Sequence, residues 1–254
     1  MKMQLPLSGV VIAKNEAGRI GRCVGSLAAV CGEVWVLDSD STDATTAEAE
    51  AAGASVRQQE WLGFSAQKNA AIALATQPWV LLLDADEWLG NGAEAALRAL
   101  FADRAVERAD VWELERRTHF LGAELNHGGW GREGVERLFR NDLRYLPADV
   151  HEKLDLRGRS VAHARIRIEH DTARSLDEYR AKLARYAALW AQQKHSEGRR
   201  AHAFAAPLHS AAYWLKNYLL RGGFLDGAKA LTYHGCHARY VFDKYRALRS
   251  RARP

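Results

Sequence analysis

The chain has 254 residues, 48% of them hydrophobic and 26% charged, which suffices for one substantial core or a core with a small appendage and excludes a disordered chain. Three cysteines, Cys23, Cys31 and Cys236, form no even set and have no metal-type spacing, so a disulfide scaffold is excluded and reduced thiols in a cytoplasmic protein are expected. The net charge of +5 is uneven: residues 199–254 hold 11 Lys+Arg against 2 Asp+Glu, a basic tail suited to phosphates on nucleic acid, anionic lipid or an acidic glycolipid, while the rest of the chain is mildly acidic.

The start, MKMQLPLSGVVIAKNE, resembles a signal peptide only superficially, because its apolar part is short, meets Lys14-Asn15-Glu16 and is followed by no small-residue cleavage site. No apolar run approaches the roughly 18 residues needed to span a bilayer, so a soluble or peripheral protein is expected. Residues 7–13 read as a buried strand, and residues 17–29 as a helix with Ile20, Val24 and Leu27 on one face. A second strand is expected at 33–37, then a helix through 45–52 capped by Ser41-Thr42-Asp43. A third strand at 54–58, a helix at 65–75 and a fourth strand at 79–83 complete the first hundred residues. Strands alternating with helices predict an open α/β sheet with parallel pairing, in which ligands bind beyond the carboxyl ends of the strands. Lys14-Asn15-Glu16, Asp38-Ser39-Asp40 and Asp84-Ala85-Asp86 each follow a strand there, so three polar clusters should converge on one rim.

Residues 105–170 alternate apolar and polar positions around HGGWGREG and read as an extension of the sheet with long loops. From Ser175 the chain reads as helical, opened by the capping box Ser175-Leu176-Asp177-Glu178. Two or three amphipathic helices follow, separated by Gly198 and by Gly222-Gly223. The expected division is a domain over 1–174, in two parts at 1–100 and 101–174, followed by a basic helical region over 175–254.

The stretch VLLLDADEWLG drives a buried strand into Asp84, Asp86 and Glu87, so a positive partner is expected there. On an extended backbone Asp84 and Asp86 point the same way and can hold a hard cation, Mg²⁺ or Mn²⁺, with positions left for diphosphate oxygens. The bland alternative is a solvated acid cluster. A calcium loop is a poor fit, because DADEWLGNGAEA lacks the alternating ligand series and central glycine. Asp38 sits too early to cap the next helix, and a carboxylate at a strand end can accept the imide N–H of uracil. HEKLD lacks the second histidine of a zinc peptidase motif.

VVIAKNEAGRI, VWVLDSDSTDAT and GFSAQKNAAIALATQPWVLLLDADE, in this order and spacing, resemble the nucleotide-binding half of the family 2 inverting glycosyltransferases of GT-A fold. Within them the chain is similar to the lipopolysaccharide core glucosyltransferases of the WaaE/KdtX type. The likeness continues through HGGWGREGVERLFR, DVHEKL, RIRIEH and LLRGGFLDGAKA, so it covers most of the chain. It implies a Rossmann-like mixed sheet flanked by helices, with a nucleotide-binding half at 1–100, an acceptor half at 101–174 and a C-terminal helical extension. It further implies that Asn15 and Glu16 line the nucleotide pocket and that Asp38 contacts the base. Gln67, Lys68 and Asn69 would approach the base and diphosphate, Asp84 the ribose or metal, and Asp86 the metal. Glu152 of the His151-Glu152 pair would be the catalytic base, with Asp149 the nearby alternative. His170 is a candidate to complete the metal site, though a lone histidine at a strand end is more often structural. Trp130, Arg137 and His151 would face the donor sugar or acceptor, and Trp130 reads equally well as core. The family commonly has Gly after the second strand where this chain has Asp40. Asp tolerates left-handed backbone better than most residues, so the turn should survive with a local change.

The resemblance thus implies a metal-dependent transfer of a hexose, expected to be glucose, from a UDP-sugar to a heptose of the lipopolysaccharide inner core or to another glycolipid acceptor. The basic C-terminal helices are expected to meet an anionic membrane surface on the inner face of the bacterial inner membrane. A sugar-phosphate nucleotidyltransferase is a weaker reading, since AKNEAGRIGR places its glycines late. A non-catalytic binding protein for membrane or nucleic acid is weaker again, and the acidic rim argues against nucleic acid as a ligand.

Overall fold

A computed structural model describes residues 4–102, 104–131, 133–147 and 152–251. The chain forms two compact units, Met1–Arg116 with Glu133–His170, and Arg117–Arg132 with Asp171–Pro254. The segment 117–132, expected in the acceptor half of the first domain, thus belongs to the unit that holds the C-terminal helices.

The first unit opens with β1 (Leu5–Ala13), α1 (Ile20–Ala28), β2 (Cys31–Asp38), α2 (Thr45–Ala51), β3 (Ser55–Gln58), α3 (Phe64–Ile72) and β4 (Trp79–Asp84). The four strands are parallel in the order β3-β2-β1-β4. Alternate side chains of β1 and β4 enter two different cores. Val11, Leu81 and Leu83 pack with Ile20, Val24 and Leu27 of α1, while Val10, Ile12, Val80 and Leu82 pack with Ala71 and Ile72 of α3. Burial on both faces is why these strands read as continuous apolar runs. The first helix starts at Ile20, later than its periodicity suggests, because Asn15 and Gly18 adopt φ of +56° and +81° and keep the preceding turn out of helical geometry.

The sheet continues through β5 (Glu87–Leu89), α4 (Ala93–Ala102), β6 (Val111–Phe120), β7 (Ala123–Leu125), β8 (Glu133–Arg140) and β9 (Val161–Asp171). Its full order is β3-β2-β1-β4-β8-β6-β9-β5, with β7 paired to β6. The segment 105–170 extends the sheet as expected, and the pairs β4–β8, β6–β8 and β5–β9 are antiparallel. The short strand β5 leaves β4 through the turn Ala85-Asp86 and yet pairs with β9 at the far end of this order, so the sheet must curl. This is the GT-A arrangement that the resemblance implies, a mixed sheet flanked by helices.

In the second unit, α5 (Leu176–Ser196) is capped as expected, with Ser175 Oγ accepting the Glu178 N–H at 3.1 Å. Next come α6 (Ala205–Trp214), a π turn at Leu215–Leu220 and a 3₁₀ turn at Gly223–Asp226. The last helix is α7 (Gly227–Arg251). Phe120, Leu125, Tyr179, Leu183, Ala230 and Tyr233 form its core. The three cysteines are buried free thiols. Among the described residues, no helix is long and apolar enough to cross a membrane.

Candidate functional site

The parallel register sets Asp38 beside Ala13 and Asp84 beside Ile12, so both carboxylates stand at the carboxyl end of the sheet. The loops after β1 and β2 are tied together there. Ser41 donates its N–H and hydroxyl to the Asp38 carboxylate at 2.9 and 2.5 Å, and its oxygen accepts the Asn15 N–H at 2.8 Å. Asn15 Oδ1 in turn accepts the Thr42 N–H at 2.9 Å, and the Glu16 N–H donates to Thr45 Oγ1 at 2.7 Å. The expected helix cap is therefore corrected. Ser41 and Thr42 hold Asp38 and Asn15, and only Asp43 accepts an N–H of the following helix, that of Thr45 at 3.0 Å. Asp40 adopts φ +56°, the left-handed geometry that its place in this turn demands.

The third helix supplies the next layer. The buried Gln67 amide donates to Ser39 Oγ at 2.9 Å and accepts the Leu62 N–H at 3.2 Å, so it fixes the loops on both sides. Asn69 brackets the Tyr145 backbone, donating to its carbonyl at 3.0 Å and accepting its N–H at 2.8 Å. Asn69 is thus spent on the chain, and Tyr145 forms an isolated bridge with Leu154, two residues beyond Glu152.

The three acids of the knot separate. The chain leaves β4 at Asp84 and turns through Ala85-Asp86, so the expectation of two parallel carboxylates on one extended strand is overturned by the turn. Asp84 lies 2.5 Å from Arg137 Nη2 and 3.4 Å from Lys68 Nζ. Burial opposes its charge, and Arg137 and Lys68 outweigh burial to hold the carboxyl well below the ordinary range. Glu87, fully buried, meets Arg137 at 2.7 Å and Arg116 at 3.3 Å and accepts the Asp84 N–H at 3.1 Å. The positive partner of the knot is therefore, for two of its three acids, the protein's own arginine and lysine side chains. Asp86 turns to His170, with Oδ2 3.4 Å from Nε2.

Lys68 is the hinge between the rim and the chain after β8. Lys68 is 3% exposed, and its ammonium also meets Glu152 Oε1 at 2.5 Å. Burial alone would raise the Glu152 pKa, but the charge and hydrogen bond of Lys68 lower it below the ordinary value, so Glu152 is ionised at neutral pH.

The Asp86–His170 pair could hold a metal ion. Their side chains are 17% and 18% exposed, and Nε2 is the His170 nitrogen that faces the Asp86 carboxylate. No group of three His, Cys, Asp or Glu gathers among those residues. Two protein ligands suit a hard divalent ion that keeps its other positions for water and phosphate oxygens.

The first unit thus brings together Asn15, Glu16, Asp38, Gln67, Lys68, Asp84, Asp86, Arg137, Glu152 and His170. Trp130 lies in the second unit, edge-on to Tyr233 at 5.5 Å and beside His237 at 5.3 Å, so its ring packs in the helical core there. His151 and the alternative base Asp149 lie outside the described residues. Glu87, within the acidic knot, and Arg116, whose place in VWELERR reads as plain alternation, carry no site role legible in the sequence.

The family described as Glycosyl transferase family 2 matches residues 8–106. The chain is similar to the "Lipopolysaccharide core biosynthesis glycosyltransferase LpsC" of Rhizobium meliloti (strain 1021), 30% identical over 263 residues that cover 98% of this chain and 96% of that protein. An "Uncharacterized glycosyltransferase" of Rickettsia felis is 38% identical over 109 residues, 43% of this chain and 38% of its own length. Among solved structures, S. aureus TarS 1-349 in complex with UDP-GlcNAc aligns over 97% of this chain and 93% of that one at 13% identity and a TM-score of 0.49.

Proposed function

We propose, since the chain belongs to glycosyltransferase family 2, that it moves a hexose from a UDP-sugar to a lipopolysaccharide core acceptor with inversion at the anomeric carbon. The observation that carries the reading is the rim itself: Asp38, Asp84, Lys68 and Glu152 gather at the carboxyl ends of parallel strands, where open α/β sheets bind ligands. Asp38, held rigidly by Ser41, keeps acceptor capacity for the imide N–H of a uracil base. Asn15 and Gln67 hold the loops that frame the base, and Lys68 faces the diphosphate side with Asp84.

Asp86 and His170 would hold Mg²⁺ or Mn²⁺, which when bound neutralises charge on the departing diphosphate. Glu152 accepts the proton of the acceptor hydroxyl as that oxygen attacks. Lys68 keeps Glu152 ionised and ready for this, at some cost in basicity. A single displacement inverts the anomeric carbon and needs no nucleophilic side chain.

The full-length likeness to LpsC supports a lipopolysaccharide acceptor, and glucose and an inner-core heptose are the donor sugar and acceptor of this reading. The basic tail would keep the enzyme against an anionic inner-membrane surface, where a glycolipid acceptor is presented. The test is UDP release from a panel of UDP-sugars, with Mn²⁺, Mg²⁺ or EDTA, with and without truncated lipopolysaccharide. Metal-dependent release from one donor that rises with acceptor is expected. No release from any donor by folded protein would overturn the reading.

A further inference from the structure

Two sequence blocks that the rim does not use, HGGWG at 127–131 and LLRGGFLDG at 219–227, meet in the second unit. Asp226 ties them together: its Oδ2 accepts the N–H groups of Asn126 and His127, each at 2.8 Å, and its Oδ1 lies 2.6 Å from His127 Nδ1. The Gly128 N–H donates to the Arg221 carbonyl at 3.0 Å. Around this junction lies a cavity of about 590 Å³, lined by Arg117, Asn126, His127, the glycines and Arg221. Space requires Gly131, where a Cβ would stand 1.9 Å from the Asn126 carbonyl oxygen, and backbone geometry favours glycine at 129, where φ is +93°.

The cavity is therefore a built one, with two permanent cations and an imidazole whose Nδ1 is already committed. Arg117 is anchored by the Gly131 carbonyl at 2.9 Å and Glu124 at 3.7 Å. Arg221 is exposed, touches Asn217 Oδ1 at 3.3 Å, and pairs with no carboxylate among the described residues. Guanidinium groups lining an open cavity suit a planar or tetrahedral oxyanion, which such groups bind through paired N–H donors.

We infer that this pocket binds an oxyanion on the acceptor, a phosphate or a carboxylate carried by a sugar, and so selects an anionic glycan; the acceptor assignment rests on the transferase reading, the pocket itself does not. The first test titrates the full chain by calorimetry with mannose 6-phosphate, glucuronate and mannose. Binding of an anionic probe and not of mannose is expected. Arg221→Gln should weaken that binding by about 10-fold or more, the worth of a charge-assisted hydrogen bond, with UDP affinity unchanged and the exposed Arg246→Gln behaving as wild type. Absence of anionic-probe binding, or equal binding by Arg221→Gln, would overturn the pocket.

The second test measures acceptor KM with truncated lipopolysaccharide that is intact, dephosphorylated or carboxyl-reduced. Arg221→Gln should raise KM about 10-fold on the intact acceptor, and the rise should vanish on the acceptor stripped of the recognised group, which names phosphate or carboxylate. An unchanged KM beside lost probe binding would defeat the acceptor assignment. No transfer to any acceptor, with probe binding still dependent on Arg221, would defeat the transferase reading and leave the pocket standing.

Discussion

Lys68 Nζ and Glu152 Oε1 stand 2.5 Å apart although 84 residues separate them in the chain, and the same ammonium lies 3.4 Å from Asp84. One buried cation thus joins the end of β4 to the proposed base. Burial pushes the Glu152 pKa up and Lys68 pulls it down further, so removing Lys68 must raise it. Lys68→Met is expected to shift the acid limb of the kcat/KM profile to higher pH, because the base then stays protonated over a wider range. The profile of acceptor-dependent UDP release checks this, and an unmoved limb would place the base elsewhere.

Glu152→Gln keeps the shape of the side chain and removes its basicity. Transfer should fall by about 10²–10⁴-fold, the usual contribution of a positioned general base, with UDP-sugar affinity retained. Single-turnover transfer and calorimetric UDP binding separate the two effects. Retained transfer would move the base to another carboxylate.

Arg137 meets both Asp84 and the fully buried Glu87, at 2.5 and 2.7 Å. Arg137→Met leaves buried charge uncompensated and should cost about 3–5 kcal/mol at neutral pH, read as a lower urea midpoint. Glu87→Gln in the same chain should recover part of the loss. Because Asp84 is depressed in the folded state, the stability it contributes is present above the ordinary carboxyl value, roughly 3.9, and is lost as pH falls below it. The gap between wild type and Arg137→Met should therefore narrow in acid.

Asp86→Asn removes one of the two groups that fit a divalent ion and leaves the ion network of Asp84 and Glu87 untouched. Metal-dependent turnover should fall by about 10²-fold or more, in line with loss of an electrostatic stabiliser of the leaving group, with an unchanged melting temperature. Turnover near wild type across a Mn²⁺ titration would remove Asp86 as a ligand.

Asp40 holds φ +56°, in the left-handed region that favours glycine. Asp40→Ala should destabilise by roughly 1 kcal/mol, the cost of left-handed backbone for a residue with a Cβ and no local polar group. Asp40→Gly should be neutral or slightly stabilising. Denaturant midpoints for the pair decide it, and equal losses would show that the Asp40 side chain, and not its backbone, matters.

By itself the sequence determined the parallel core and the rim. Apolar runs at β1 and β4 reflect burial on both faces, a local property that periodicity reports, and Ser175 announces its helix through a bond only three residues long. Asp38 and Asp84 were legible because a strand's carboxyl end is set by where the run stops. The partners of those carboxylates were not. Arg137 and Arg116 reach Asp84 and Glu87 from β8 and β6 only because the sheet pairs β4 with β8 and β8 with β6, and Lys68 reaches Asp84 from α3 packed on β1 and β4; such pairing and packing are nonlocal. The turn at Ala85-Asp86, which parts Asp84 from Asp86 and delivers the latter to His170, depends on β5 pairing with β9. Charge in a sequence shows that a partner must exist, and the curled sheet decides that most of that partner is the protein itself.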